Sequence, residues 1–181
     1  MTDQKSDLAS SVILVAGMME LAARTAPKTK GEDFVETRTI SGEALRQLSN
    51  AMVDFGNTRK KPKFERDASG VASSTALVLI GLKDASSVGL DCGACGFATC
   101  VELQAARRLD SEFMGPICAY RHLDMGIALG SASRTAEQFN VDNRIMYRAG
   151  VAARWIGLVD WDFVMGIPLS ATGKNPFFDR K

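Results

Sequence analysis

An α+β domain, a small sheet flanked by helices, is the fold class this sequence predicts. Three observations carry it. Apolar residues recur at helical spacing in segments near 7–24, 41–56 and 120–139. The run TALVLIGL, residues 75–82, is continuously apolar and bounded by turn residues, as a strand buried on both faces is. A shorter segment rich in Val, Thr and Ile, residues 34–40, supplies a second strand. At 181 residues the chain is one domain, or one domain with an insertion, and it is long enough to bury a core without staples.

The first helix is expected over 7–24, with Leu8, Val12, Val15, Met19 and Ala22 on one stripe and Pro27 ending it. Gly17 and further methionines make it apolar on more than one face, which predicts deep burial. A polar, basic stretch carrying Lys28 and Lys30 leads into the 34–40 strand. Ser41 or Gly42 opens the second helix, Leu45, Leu48, Met52 and Phe55 give it an apolar stripe, and Gly56 stops it. Residues 57–74 read as a loop whose basic half holds Arg59, Lys60, Lys61, Lys63 and Arg66. It is either a solvated loop or a dock for an acidic partner or a phosphate. The 75–82 strand follows, then a short helix over 101–109 and a turn at Gly115-Pro116. The helix at 120–139 contains Gly126, Ala128, Gly130, Ala132 and Ala136. Glycine in a helix costs roughly 1 kcal/mol against alanine, so two of them predict tight packing. Residues 146–156 suit strand or helix equally, and the tail GIPLSATGKNPFFDR, rich in Gly and Pro, reads as looped or extended.

Composition excludes several functions. The formal net charge of +1 gives no electrostatic case for nucleic acid or a membrane surface. The apolar run from Ser11 to Ala23 contains Glu20 and reads as too short to span a bilayer. Asp3 and Asp7 accompany Lys5 before it, so a basic leader region is not evident and a cytoplasmic setting is expected. No phosphate-loop or dinucleotide fingerprint occurs.

All four cysteines of the chain fall in one stretch: Cys92, Cys95, Cys100 and Cys118, spaced C-x2-C-x4-C-x17-C. In a reducing compartment such a group points to metal rather than to disulfides. Four thiolates hold a [4Fe–4S] cluster or a zinc ion. The cluster is the expected occupant. The wide gap before Cys118 departs from paired zinc knuckles, but zinc and disulfides stay open as alternatives. Gly93 and Gly96 remove side-chain bulk where backbone must approach inorganic sulfide, and they permit a left-handed backbone. His122, the only histidine, follows Cys118 by one helical turn. It reads as a half-exposed helix residue, a hydrogen-bond donor to the site or a proton carrier. Trp155, Trp161, Phe177 and Phe178 read as core or interface aromatics, with stacking on a flavin as the alternative for one of them.

CGACGFATC with a later cysteine resembles the short C-x2-C-G-x3-C…C module of electron-transfer and corrinoid proteins. That resemblance implies that Cys92, Cys95, Cys100 and Cys118 all ligate one [4Fe–4S] cluster. Here Pro116 precedes the last cysteine where the module has a proline after it. Through AARTAPKTKG, DCGACGF and GIPLSATGKNPFFDR, the whole chain resembles a family of uncharacterised prokaryotic proteins containing a ferredoxin domain. One domain over residues 1–181 is expected, with 91–118 as its cluster-binding segment. The likeness brings a cluster but no known reaction; from the cluster itself, electron transfer to a redox partner protein or a flavin is expected.

AARTAPKTKGED, DMGIALGSASRTAEQF and FVMGIPLSATGKNP are similar to segments of the nitroreductase fold. That resemblance implies a nitroreductase-like α+β fold with the cysteines as an insertion, a homodimer, and possible FMN binding. Arg24, Lys28 and Lys174 are the positions it carries over as flavin contacts. The basic cluster that binds FMN phosphate at the extreme N-terminus of that fold has no counterpart here. Three functions follow as expectations: a cluster-bearing electron carrier, an FMN-dependent oxidoreductase with a structural cluster, and a binding module pinned by zinc or a cluster.

Overall fold

The computed structural model describes residues 4–178. Asp3 of the leader region and Asp179 and Arg180 of the tail landmark lie outside them. In chain order the elements are α1 (Gln4–Thr25), a 3-10 turn (Thr29–Gly31), β1 (Val35–Ser41), α2 (Gly42–Thr58), α3 (Phe64–Ala72) and β2 (Ala76–Leu82). Then come α4 (Cys100–Ala105), β3 (Leu109–Asp110), β4 (Met114–Gly115), α5 (Ala119–Gln138), β5 (Asp142–Asn143), α6 (Tyr147–Trp155) and β6 (Phe163–Ser170).

Four strands form an antiparallel sheet in the order β1-β2-β6-β5, and β3 with β4 make a separate hairpin. The run read as a central strand is one. All seven residues of β2 are buried, because helices cover both faces of the sheet. Side-chain alternation sends Leu77 and Leu79 to one face, where α2, α3 and α6 pack with Leu48, Met52, Phe64 and Val151. Ala76, Val78, Ile80 and Leu82 face the other side, against Val12 and Met19 of α1 and Met125 and Ala132 of α5. On the first of these faces α6 lies almost on the backbone of β6. A Cβ at Gly150 would sit 1.9 Å from the Val164 carbonyl oxygen, so only glycine fits.

Several expectations need correction. The 57–74 loop contains α3, whose Phe64, Ala68 and Val71 are buried at helical spacing. Gly56 does not stop α2; it lies within the helix because a Cβ there would meet the Phe64 Cβ at 2.7 Å. The helix after Cys100 ends at Ala105, and Leu109 instead starts the hairpin. Residues 146–156 resolve as helix, α6. Of the Gly/Pro-rich tail, read as looped or extended, GIPLS is extended and forms the end of β6.

Deep burial of α1 does not hold either. Val12, Val15, Ala16, Met19 and Ala23 are buried, whereas Leu14 and Leu21 stand 63% and 65% exposed. By length and composition alone Leu8–Thr25 is long and apolar enough to cross a membrane, against the expectation that it is too short; its inner face is buried on the sheet. Nor do Gly126 and Gly130 pack within the chain: both are exposed with open space at the Cβ position. Ala128, Ala132 and Ala136 make the buried side of α5 instead.

Candidate metal centre

The cysteine segment leaves the end of β2 and returns at the start of α5. Its backbone needs the left-handed region three times in quick succession, at Asp91 (φ 49°), Gly93 (φ 73°) and Gly96 (φ 87°). The two glycines take that conformation at no steric cost. The Gly96 N–H donates to the Gly93 carbonyl at 2.9 Å and closes the tight turn carrying Cys95. Around Cys100 the segment is tied by side chains. The Cys100 N–H donates to Asp91 Oδ1 at 2.6 Å, and the Glu102 N–H donates to Thr99 Oγ1 at 3.2 Å. Glu102 Oε2 in turn accepts from the Ala98 N–H at 3.0 Å, a variant of the capping box. Thr99 and Glu102 thereby cap α4, and Cys100 is its first residue.

The hairpin then turns the chain back, fixed to the body by the Met114 N–H donating to the Asp162 carbonyl at 2.9 Å. Cys118 caps the 20-residue α5, its carbonyl accepting from the N–H groups of Arg121 and His122 at 3.0 and 3.3 Å. The N-terminus of such a helix carries partial positive charge, which favours thiolate or an anionic cluster there.

All four cysteines line one pocket, together with Val88, Leu90, Phe97 and Tyr120. Cys118 is buried, Cys95 and Cys100 half-buried, and Cys92 exposed at the rim. Val88, Leu103 and Cys118 form an apolar cluster of their own, apart from the two main cores, with Cys95, Phe97 and Tyr120 packed on it. Among the described residues no three His, Cys, Asp or Glu side chains are close enough to hold a metal ion. His122 is not part of the lining. Its ring stands edge-on to Phe163 at 4.9 Å, and burial lowers its pKa from the usual histidine value.

Behind the cysteines lies a buried ionic network absent from the sequence reading. Arg121 is fully buried, three residues after Cys118. Its Nε donates to the Ser86 carbonyl at 2.9 Å and NH1 donates to the Thr29 carbonyl at 3.2 Å. NH1 also reaches Asp124 Oδ2 at 3.2 Å, NH2 pairs with Glu32, and the guanidinium lies 4.6 Å from the Phe34 ring centre. Asp124 Oδ1 accepts from the N–H and hydroxyl of Thr29 at 2.8 and 2.7 Å. Lys30 adds a bond from Nζ to the Val88 carbonyl at 2.7 Å. Two cations thus anchor residues 86–88, of which Val88 lines the thiol pocket, to the TKG turn and to α5. The available signal was the placement of Arg121 and Asp124 on the same stripe of α5 as Met125, Ala128 and Ala132.

Arg24 and Lys28 belong to the end of α1. Lys28 Nζ donates to the carbonyls of Ala23, Arg24 and Ala26 at 3.2, 2.7 and 3.0 Å, satisfying the helix terminus. Arg24 pairs with Asp33 at 3.3 Å and Glu36 at 3.8 Å. Lys174 stands in the exposed turn after β6, and the preceding Thr172 and Gly173 lie against Leu8 and Val12 near the other end of α1. Val12 and Arg24 are twelve residues apart on that helix, about 18 Å of rise, so one chain does not bring the three basic residues together.

Residues 114–180 match the family described as "Uncharacterized protein containing a ferredoxin domain". An uncharacterized protein of Archaeoglobus fulgidus is 47% identical over 169 residues, 93% of this chain and 91% of that one. The chain belongs to this family. The ferredoxin-domain match includes Cys118 but begins after the other three cysteines.

Solved structures show the fold. A nitroreductase-like family protein of Bacillus cereus superposes with a TM-score of 0.57 at 12% identity, covering 92% of this chain and 78% of its own. A nitroreductase with bound FMN from Desulfitobacterium hafniense gives 0.57 at 10%, covering 89% and 78%. An FMN-dependent nitroreductase of Mycobacterium smegmatis in complex with NADPH gives 0.57 at 12%, covering 91% and 81%. The ferredoxin-domain chain therefore has a nitroreductase-like fold, with its cysteine segment between β2 and α5.

Proposed function

We propose that this protein is a cytoplasmic iron–sulfur redox protein, with one [4Fe–4S] cluster held by Cys92, Cys95, Cys100 and Cys118. The observation that carries this reading is the single pocket lined by all four thiols. Thiolate is the donor such a cluster takes, and the donor set fits it. One zinc ion needs its sulfurs about 2.3 Å away and therefore close together, whereas a cluster takes each thiolate at a separate iron. The seventeen residues between Cys100 and Cys118, unlike paired zinc knuckles, favour the second case. When bound, the cluster supplies one-electron transfer.

The chain's own residues do the rest. Gly93 and Gly96 let backbone N–H groups turn inward, Asp91 and Glu102 fix the Cys100 turn, and Val88, Phe97 and Tyr120 exclude water. Cys92 at the rim gives the shortest path to a docked redox partner. Replacing Cys118 with Ala tests the ligand set. The account predicts that anaerobic protein loses or converts its absorption near ~400 nm. An unchanged spectrum removes Cys118 as a ligand.

A second reading, an FMN-dependent nitroreductase-like oxidoreductase with a structural cluster, rests on the fold and on its FMN-binding neighbours. Arg24, Lys28 and Lys174 are its candidate contacts. Because they lie at opposite ends of α1, a flavin touching all three sits between two copies of the chain. Acid extraction that releases FMN fluorescence supports this reading; a flavin-free extract from cluster-loaded protein removes it.

A further inference from the structure

The basic stretch after α2, which the cluster reading leaves without a role, borders a second cavity. It lies on the other side of the sheet from α1 and α5, between the ends of α2 and α6 and the tip of the β3–β4 hairpin, with a volume of about 390 Å³. That volume falls in the range of small-molecule sites, about 300–1,000 Å³. Its wall includes the Trp155 ring, 42% exposed although it packs edge-on against Phe55 at 5.5 Å. A large aromatic left half in solvent beside a cavity offers a stacking face.

The polar groups are arranged unevenly. Arg154 is held on three sides, by the carbonyls of Trp161 and Glu112 at 2.5 and 2.9 Å and by Asp110 at 3.0 Å. Lys61 pairs with Glu112 Oε1 at 3.1 Å. Arg59 is exposed and also lines the cavity, its guanidinium carbon 6.0 Å from the Phe55 ring centre. Lys60 and Lys63 are exposed next to it. Basic side chains therefore outnumber Asp110 and Glu112 around the opening. Arg59 is placed to take an oxyanion in a fork while a ring stacks on Trp155.

We propose that this cavity binds a phosphorylated heteroaromatic molecule of the nucleotide class, with its ring on Trp155 and its phosphate on Arg59. The hairpin that closes the site belongs to the cysteine segment, so occupancy bears directly on the position of residues 110–112. The inference stands independently of the cluster, because the residues involved are not thiols and apo protein retains them.

The test is fluorescence titration of the cluster-free protein with AMP, FMN and NADP⁺, with adenosine and inorganic phosphate as the separated halves. Trp161 is buried, so quenching reports Trp155. At least one nucleotide is expected to quench and saturate, more tightly than adenosine or phosphate. Arg59→Gln, an exposed position, is expected to weaken that ligand about tenfold or more, the worth of a charged hydrogen bond. Trp155→Phe should abolish the quench and weaken binding followed by calorimetry. The proposal is overturned if none of the three nucleotides binds, or if one binds with affinity unchanged by both Arg59→Gln and Trp155→Phe.

Discussion

Arg121 joins three segments that are far apart in the sequence: the turn near Thr29, the loop at Ser86 and the start of α5. A buried cation of this kind is costly to leave half-paired. Arg121→Met strands Asp124 in the interior and should destabilise the fold by about 3–5 kcal/mol, read from urea denaturation. A loss within experimental error would show that the network holds nothing in place. The same residue marks where sequence reading stopped. Four cysteines in one short stretch were legible because thiols have few other reasons to congregate. Arg121 was not, because a helical arginine ordinarily lies in solvent and its partners come from residues 29, 32 and 86. Lys28 shows the reverse. The resemblance to the nitroreductase fold offers it as a flavin contact; within the chain its ammonium caps the last turn of α1.

At the scale of elements, the central strand and the helices α2 and α5 followed from periodicity. The misses do not share one origin; at Gly56 a glycine was read as a breaker. Gly166 lies in β6 because α6 crosses it closely, and a Cβ there would meet the Ala149 Cβ at 2.8 Å. Pro168 is tolerated because β5 pairs only with Leu169 and Ser170, leaving its ladder interrupted beside the proline. In α3 a run of lysines before Phe64 hid a short amphipathic helix. Phe64→Ala should cost about 3–5 kcal/mol, as truncation of a core aromatic does. A loss below 1 kcal/mol would mean that α3 is dispensable packing. Gly150→Ala should destabilise by about 1–3 kcal/mol or more through overpacking, since the methyl group meets the backbone of β6. A neutral thermal midpoint would contradict that close approach.

The whole molecule leaves one side of α1 and α5 apolar and uncovered. Leu14, Met18 and Leu21 stand out from α1, and Leu123 and Ile127 from α5 beside the open Gly126 and Gly130. Small residues flanked by large apolar ones let a helix from another chain approach closely, and this explains glycines that nothing within the chain requires. Homodimerisation through this face is the proposal that accounts for it. Sedimentation velocity on Leu14→Glu with Leu21→Glu should convert a dimer into a folded monomer. A variant that sediments like the parent protein would place the contact elsewhere.

The central claim is the cluster, and one measurement bears on it most directly. Protein purified anaerobically is assayed for iron, acid-labile sulfide and zinc, with its spectrum recorded before and after dithionite. The account predicts about four iron and four sulfide per chain, with a brown absorption near ~400 nm that bleaches on reduction. One zinc per chain with no sulfide and no visible absorption would contradict it.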